Sequence, residues 1–477
     1  MVKRNIGNSL FKMSIAYVIA TVIVKAINFM TTPIFTRLMS PKDYGVVSNF
    51  TVWGQLLAVF ICGQVASGIV VAKYNNIAKG RFEKYMASII RCAVLIGSCV
   101  SIVVIFIGFH CQILNSLKKE HFLFLCIYAF GISMGDLFSN YCIATDNVRG
   151  KVTYAIVSSL LNVILGIVCV YLFEVSSWGR IVAYGITYAL IAVVVLSYFL
   201  KKPVDTKENI FKDMKFALAF GLPLVPHLIA NLINGNIDRV FITEYLSEAD
   251  AGIYSVAYSI GIIAFVIADA CNDAWIPWFA KKNTEKDYRA ISDAIQIYTV
   301  TMAMCFFGVI MLAPEIMSIM ASKAYWGGIN SVRYIALGIF FMFMYRFAVN
   351  YEQLNGKSIY VAPATVCAAL INIGLNILFI PIMGIEGAAL ATTISYFGLW
   401  LFHEIVARKI IKGYEVKIKY YMSACAIMLI AFFLSKDMYD VKMTRWVMIV
   451  LACVGYGMFA LKKMKDRGRD KEKEIEN

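Results

Sequence analysis

His227, Asn231, Asn234 and Asp238 stand at i, i+4, i+7 and i+11 in a run that is otherwise mostly apolar. On a helix that spacing lines them up along one narrow face. Thr21, Lys25, Asn28 and Thr32 show the same spacing, and adding 206 to each number gives the members of the first set. The chemistry on offer is binding rather than bond-making. Amides and hydroxyls hydrogen-bond a polyhydroxylated ligand, a lysine meets an anion, and an imidazole or carboxylate takes up a proton or cation. A charge at the centre of a bilayer costs at least ~2.5–3.5 kcal/mol, so such residues face a partner or a water-filled cavity. Single Asn and Thr residues also serve as contacts between helices. Two matched stripes point instead to a shared hydrated cavity.

The other charges within apolar runs each admit two readings. Arg346 lies deep in the tenth run and is the second candidate for an anion contact, after Lys25. Arg91 is only a few residues inside the third run, where its stem lets the head reach the membrane surface. Arg239 neighbours Asp238 and suits a structural pair. Asp136, in the fourth run, would find a partner in Arg346 or Lys25. Asp269 and Asp273, one turn apart near the end of the eighth run, fit either a coupling cation or a hydrated helix end. Gly356-Lys357-Ser358 has the look of a phosphate-binding loop. The glycine that pattern requires five residues earlier is Tyr351, and no strand precedes it. The twelve cysteines form no CxxC pair and the four histidines are far apart, so no disulfide framework, metal site or cofactor is expected.

These residues must be held by membrane-spanning helices. Of 477 residues, 60% are hydrophobic and 16% charged, well away from the soluble average. The apolar residues fall in runs long enough to cross ~30 Å of hydrocarbon at 1.5 Å per residue. Fourteen such runs are predicted, from 13–36 to 445–462, giving an all-α integral membrane fold. The first run is too long for a signal peptide and lacks a small-residue cleavage site. With the N-terminus inside, the cytoplasmic segments hold 31 Lys and Arg and the outer ones 10. That excess predicts both termini in the cytoplasm and accounts for most of the +15 net charge, without a nucleic-acid partner.

The chain also repeats itself. Ser40, Asp43, Gly45 and Ser48 recur as Ser247, Asp250, Gly252 and Ser255, offset by 207. Gly150, Lys151 and Tyr154 recur as Gly356, Lys357 and Tyr360, offset by 206. Gly179, Ala183, Ile186 and Tyr188 recur as Gly387, Ala391, Ile394 and Tyr396, offset by 208. Each copy carries six spans, so both enter the membrane the same way, related by a pseudo-twofold axis along the membrane normal. The expected organisation is a first lobe over 1–200, a second over 201–411, two further helices over 412–462 and a charged cytoplasmic tail over 463–477. Such two-lobed bundles bind substrate between the lobes and work by rocking. Pro223 and Pro226 break the start of the seventh span, which suits an element that bends.

The segment from Phe29 to Gly45, with Pro33, Arg37, Pro41, Asp43 and Tyr44, resembles the N-terminal signature of bacterial polysaccharide flippases of the multidrug/oligosaccharidyl-lipid/polysaccharide exporter superfamily. Ile237-Asp238-Arg239 followed by Ala251 to Ser255 resembles that family's second-half signature, and Gly384 to Ala389 its twelfth-helix entry. The resemblance covers residues 1 to about 460. It implies movement of undecaprenyl-pyrophosphate-linked oligosaccharide from the inner to the outer leaflet of the bacterial cell membrane. It also implies a cationic cavity for the headgroup. Carried onto this chain, Lys25 matches the pyrophosphate contact, Arg346 comes second, and Asn28, Asn231 and Asn234 offer bonds to sugar hydroxyls. Transport in the family is ion-driven, and His227, Asp238 and Asp269 are the groups here that would carry H+ or Na+. Membrane lipid and polysaccharide polymerase machinery are the further partners implied. A multidrug exporter of the same superfamily would prefer an acid-lined cavity and usually has twelve spans. A lipid II flippase would carry several cavity arginines. A polymerase or ligase would need a large outer loop, and the longest here is roughly a dozen residues, so an enzyme is not expected.

Overall fold

The computed structural model describes residues 23–27, 29–75, 77–110, 117–411 and 413–476. Helices account for nearly all of them. In chain order they are α1 (residues 23–27 and 29–38), α2 (Pro41–Ile61), α3 (Phe82–His110), α4 (His121–Ala144), α5 (Val148–Leu172) and α6 (Ser176–Phe199). Then come α7 (Lys207–Asn236), α8 (Glu248–Gly261 and Ile263–Thr284), α9 (Tyr288–Met311), α10 (Lys323–Leu354) and α11 (Ser358–Met383). The last are α12 (Ile385–Ile410), α13 (Ile418–Met438) and α14 (Lys442–Glu476). Among the described residues twelve helices are long and apolar enough to cross a membrane, and α8, bent by 45°, makes a thirteenth. The fourteenth predicted span is α1, whose N-terminal half lies outside the described residues. Helix α14 runs through the predicted tail to Glu476, because the tail's Lys, Arg and Glu residues are good helix formers.

Three helices are broken where the sequence demands it. The chain leaves α2 through Cys62, Gly63 and Gln64, the last two at φ 59° and 53°. In α7 a 3₁₀ turn, Leu222–Leu224, contains Pro223 and a new helix follows with Pro226 in its first turn; each proline lacks an N–H for the ladder. A further short helix, Asp238–Tyr245, completes the seventh span. Helix α8 bends at Ile262.

The chain forms two compact units. The first holds residues 1–256, 320–325 and 361–395, so it contains α1 to α7, the start of α8, α11 and the first part of α12. Inside it the sequence repeat becomes a contact. Ser40 Oγ accepts the Asp43 N–H at 3.1 Å and donates to Asp43 Oδ2 at 2.8 Å, capping α2. Ser247 does the same for Asp250, at 3.1 and 2.5 Å, at the start of α8. These are reciprocal caps of the Ser-x-x-acid kind. Five residues after each Ser, Gly45 and Gly252 bring the two backbones together. A Cβ on Gly45 would lie 1.7 Å from Glu248 O, and one on Gly252 would lie 2.0 Å from Pro41 O. One turn on, Ser48 Oγ and Ser255 Oγ hydrogen-bond at 2.7 Å. Each residue touches its own repeat mate or that mate's neighbour, as a local twofold axis requires. Gly179 and Gly387 also play one role: a Cβ there would lie 2.4 Å from Cys169 O and 2.3 Å from Phe379 O, so each seats a helix against its predecessor. The C-terminal end of α1 is tied down by Thr36 Oγ1 donating to Met320 O (2.8 Å), and Met39 O receives Tyr325 OH (3.0 Å).

The second unit holds residues 257–319, 326–360 and 396–477. Its core stacks Trp275 on Phe279 and sets Phe279 edge-on to Tyr351. Helices α9 and α13 pack together here. Buried in it are His403 and Glu352, both fully enclosed, with Nδ1 to Oε1 at 2.9 Å. Arg445 pairs with Glu315 at 2.5 Å. The connection after α12 is pinned by Glu404, which receives Tyr414 OH and the Arg408 guanidinium, both at 2.5 Å.

Candidate functional site

The polar stripe of the seventh span has an open end and a closed end. At the open end Asn231 is exposed and its Nδ2 lies 3.0 Å from His227 Nε2. With that amide donating, Nε2 is the acceptor and the ring proton sits on Nδ1, which is buried without a partner among the described residues. Three residues further, Asn234 is buried and donates to Thr365 O on α11 at 3.3 Å. The break at Pro223 and Pro226 precedes this stripe by one turn and starts a fresh helix at Val225.

The closed end is a carboxylate with no exposure. Asp238 receives Tyr254 OH at 2.6 Å, Thr392 OH at 2.7 Å and the Asn376 amide at 2.9 Å. Asn376 also donates to Asn372, whose own amide reaches Thr392 Oγ1 at 3.0 Å. Asp238 is thus surrounded by neutral donors from α8, α11 and α12. The Oδ1 atoms of Asn376 and Asn234 are buried without a donor, which leaves two carbonyl dipoles unanswered near the carboxylate. Arg239 turns away from it, to Ser255 Oγ at 3.2 Å and Asn236 Oδ1 at 3.1 Å.

On α1, Lys25 is half-buried and Thr32 buried, while Thr21 and Asn28 lie outside the described residues. In the second unit Arg346 donates to Asp269 Oδ1 at 2.6 Å and lies 4.4 Å over the Phe265 ring. Each of the two side chains keeps about a third or less of its surface exposed, so this is a half-desolvated pair rather than a free cation. The side chain of Asp273 lies outside the described residues. The partner expected for Asp136 was Arg346 or Lys25, and Arg346 is committed to Asp269 instead.

Several polar residues were not singled out from the sequence. Asn372 and Asn376 stand at i and i+4 in the eleventh run, so the rule that found the seventh-span stripe also finds them. Arg180, at the edge of the sixth run, is buried, bonded to Asn162 O and Oδ1 at 2.8 and 2.7 Å, and sandwiched between the Phe35 and Tyr184 rings. His403 and Glu352 carried no local signal, because they lie 51 positions apart.

Residues 10–283 match the family model described as "Polysaccharide biosynthesis protein". The chain is 26% identical over 285 residues to the Lsg locus putative protein 1 of Haemophilus influenzae, covering 58% of this chain and 67% of that one. It is 25% identical over 223 residues to a probable low-salt glycan biosynthesis flippase, Agl15, of Haloferax volcanii, covering 45% and 47%. Among solved structures, the lipid II flippase MurJ in an inward closed conformation superposes with a TM-score of 0.69 at 15% identity, over 95% of this chain and 99% of that one.

Proposed function

Because this chain belongs to the polysaccharide biosynthesis protein family, we propose that it flips undecaprenyl-pyrophosphate-linked oligosaccharide units from the inner to the outer leaflet of the bacterial cell membrane, by alternating access, for surface polysaccharide biosynthesis. The family match over residues 10–283 is the observation that carries this reading. The helical architecture and the flippase relative support it. Both termini lie in the cytoplasm, following the basic residues.

In this reading Lys25 meets the anionic headgroup, and Asn28, Asn231 and Asn234 serve the sugar hydroxyls. Arg346 becomes a second phosphate contact when it leaves Asp269, an exchange that replaces one anion by another at the same guanidinium. The polyprenyl tail stays in lipid. An ion gradient drives the cycle through His227, Asp238 and Asp269. Asp238 suits that role because the three groups that donate to it, Tyr254, Thr392 and Asn376, are neutral. The test is lipid-linked oligosaccharide exposure on the outer leaflet of cells with wild type, Lys25→Ala or no transporter, at matched membrane levels. Exposure with wild type and its loss in Lys25→Ala supports both the reading and the Lys25 assignment. Equal exposure in the two moves the headgroup contact away from Lys25. No exposure with wild type, alongside rising drug efflux, replaces the flippase reading by an exporter.

A further inference from the structure

Asp136 is a carboxylate with no partner for its charge among the described residues. It sits on α4 eight residues before the helix ends at Ala144, about 12 Å along the axis and so inside the hydrocarbon thickness. Helix α4 is the central helix of the first unit, packed against α2, α3, α5, α6 and the short helix Ile69–Tyr74, and over half of its apolar stretch is buried. Yet Asp136 itself is exposed. An opening on so enclosed a helix is a gap between helices rather than a lipid-facing side.

Four other carboxylates within the spans are engaged. Asp238 has its three donors, Asp269 has Arg346, Glu352 has His403 and Glu404 has Arg408 and Tyr414. Asp136 makes no hydrogen bond or ion pair through its carboxylate among the described residues. The Asn140 amide one turn on is spent on the Asp136 carbonyl at 2.9 Å, not on the carboxylate. The titratable groups that face it are Cys62 at the end of α2, Tyr154 on α5 and Tyr188 on α6, each neutral near pH 7. Nor are the ligands of a metal ion gathered here, for no group of three or more His, Cys, Asp or Glu is found among the described residues. A lone carboxylate with neutral neighbours in a low-dielectric gap is neutralised most simply by a proton.

We infer that Asp136 binds the proton that couples the transport cycle. The group takes the proton from water in the gap and releases it when a cation or fuller hydration reaches the carboxylate. The inference rests on the flippase reading for the meaning of the cycle, but proton binding itself is separable from it. This site is additional to Asp238 and Asp269, which are already partnered here.

The test treats the full-length protein in detergent with dicyclohexylcarbodiimide across a pH series and maps adducts by peptide mass. The reagent needs a protonated carboxyl: the acid proton goes to a carbodiimide nitrogen and the carboxylate oxygen to its central carbon, and the product rearranges to a stable acylurea. The expected result is an adduct on Asp136 that grows as pH falls and is absent in D136N. No adduct at Asp136 at any pH, with D136E also unlabelled, overturns the inference. A second arm measures outer-leaflet glycolipid exposure with and without an imposed pH gradient. Wild type should respond to the gradient and D136N should give the same exposure in both conditions, while D136E keeps the response. A gradient response retained in D136N overturns the coupling role. If wild type exposes no glycolipid under any condition, the flippase reading fails, and the labelling arm still decides whether Asp136 binds a proton.

Discussion

The helix crossing at Gly45 and Gly252 gives a prediction whose size follows from the geometry. An alanine at 45 would put its Cβ 1.7 Å from the Glu248 carbonyl oxygen, against 3.4 Å for ordinary contact, so α2 and the start of α8 must separate by about 1.7 Å. The obstructing atom is backbone and cannot rotate aside. That separation also stretches the Ser48–Ser255 bond, 2.7 Å in the native protein, past hydrogen-bonding range. Overpacking of this kind costs about 1–3 kcal/mol and the lost hydrogen bond about 1 kcal/mol, so Gly45→Ala should destabilise by roughly 2–4 kcal/mol. Gly252→Ala meets Pro41 O at 2.0 Å and should behave alike. Ser48→Ala removes only the hydroxyl pair and should cost about 1 kcal/mol. Because both glycine variants open the same contact, the double variant should cost less than the two singles together. The assay is thermal melting of detergent-purified protein, alongside membrane-inserted yield. Glycine variants that melt with wild type, or additive effects in the double variant, would refute the close twofold crossing.

Other predictions follow from the buried pairs. Arg81 donates to Asp213, which has no exposure, at 2.6 and 2.9 Å, and to Asp205 at 3.1 Å. Arg81→Ala strands the Asp213 charge and should destabilise by about 3–5 kcal/mol, with Asp213→Asn restoring part of the loss in thermal melts. Asp238→Ala leaves Tyr254, Thr392 and Asn376 without their shared acceptor, at about 1–3 kcal/mol for each buried donor, and Asp238→Asn should be milder; denaturation midpoints separate the two. Arg346 and Asp269 should show coupling in a double-variant cycle of melting temperature, and Arg346→Ala alone should also lower glycolipid exposure. The Asn209 side chain and the Thr206 N–H hold the Asp205 carboxyl below the usual carboxylate range. A depressed group contributes stability that is present at neutral pH and lost as pH falls through its folded titration. Hydrogen-exchange protection in residues 200–210, taken relative to the intrinsic rate at each pH, should therefore fall at acid pH and do so less in Asp205→Asn.

The architecture was legible because membrane helices announce themselves by length and by local pattern. The caps at Ser40 and Ser247 and the glycines at 45 and 252 were visible as a spacing repeated at 207 residues, and their contact explains why the spacing was kept. The stripe on the seventh span was legible for the same reason, since helical periodicity puts its members on one face. Its interior end was not. Nothing local tells that Asp238 is enclosed by Tyr254, Asn376 and Thr392 while Asn231 stays open, because those partners come from three other helices. Likewise Arg346 has two acids within reach by count of residues, and only the packing of α8 against α10 selects Asp269. Arg180 is buried by two aromatic rings and Asn162, and of these partners Phe35 and Asn162 lie on other parts of the chain that local pattern does not bring together.

The most direct test uses purified protein in vesicles that carry a lipid-linked oligosaccharide, with an impermeant lectin reporting the outer leaflet and a pH or sodium gradient imposed. The account predicts that vesicles with wild type expose the glycolipid faster than empty vesicles and that Lys25→Ala vesicles resemble empty ones. Equal rates with and without the protein, under either gradient, would contradict it.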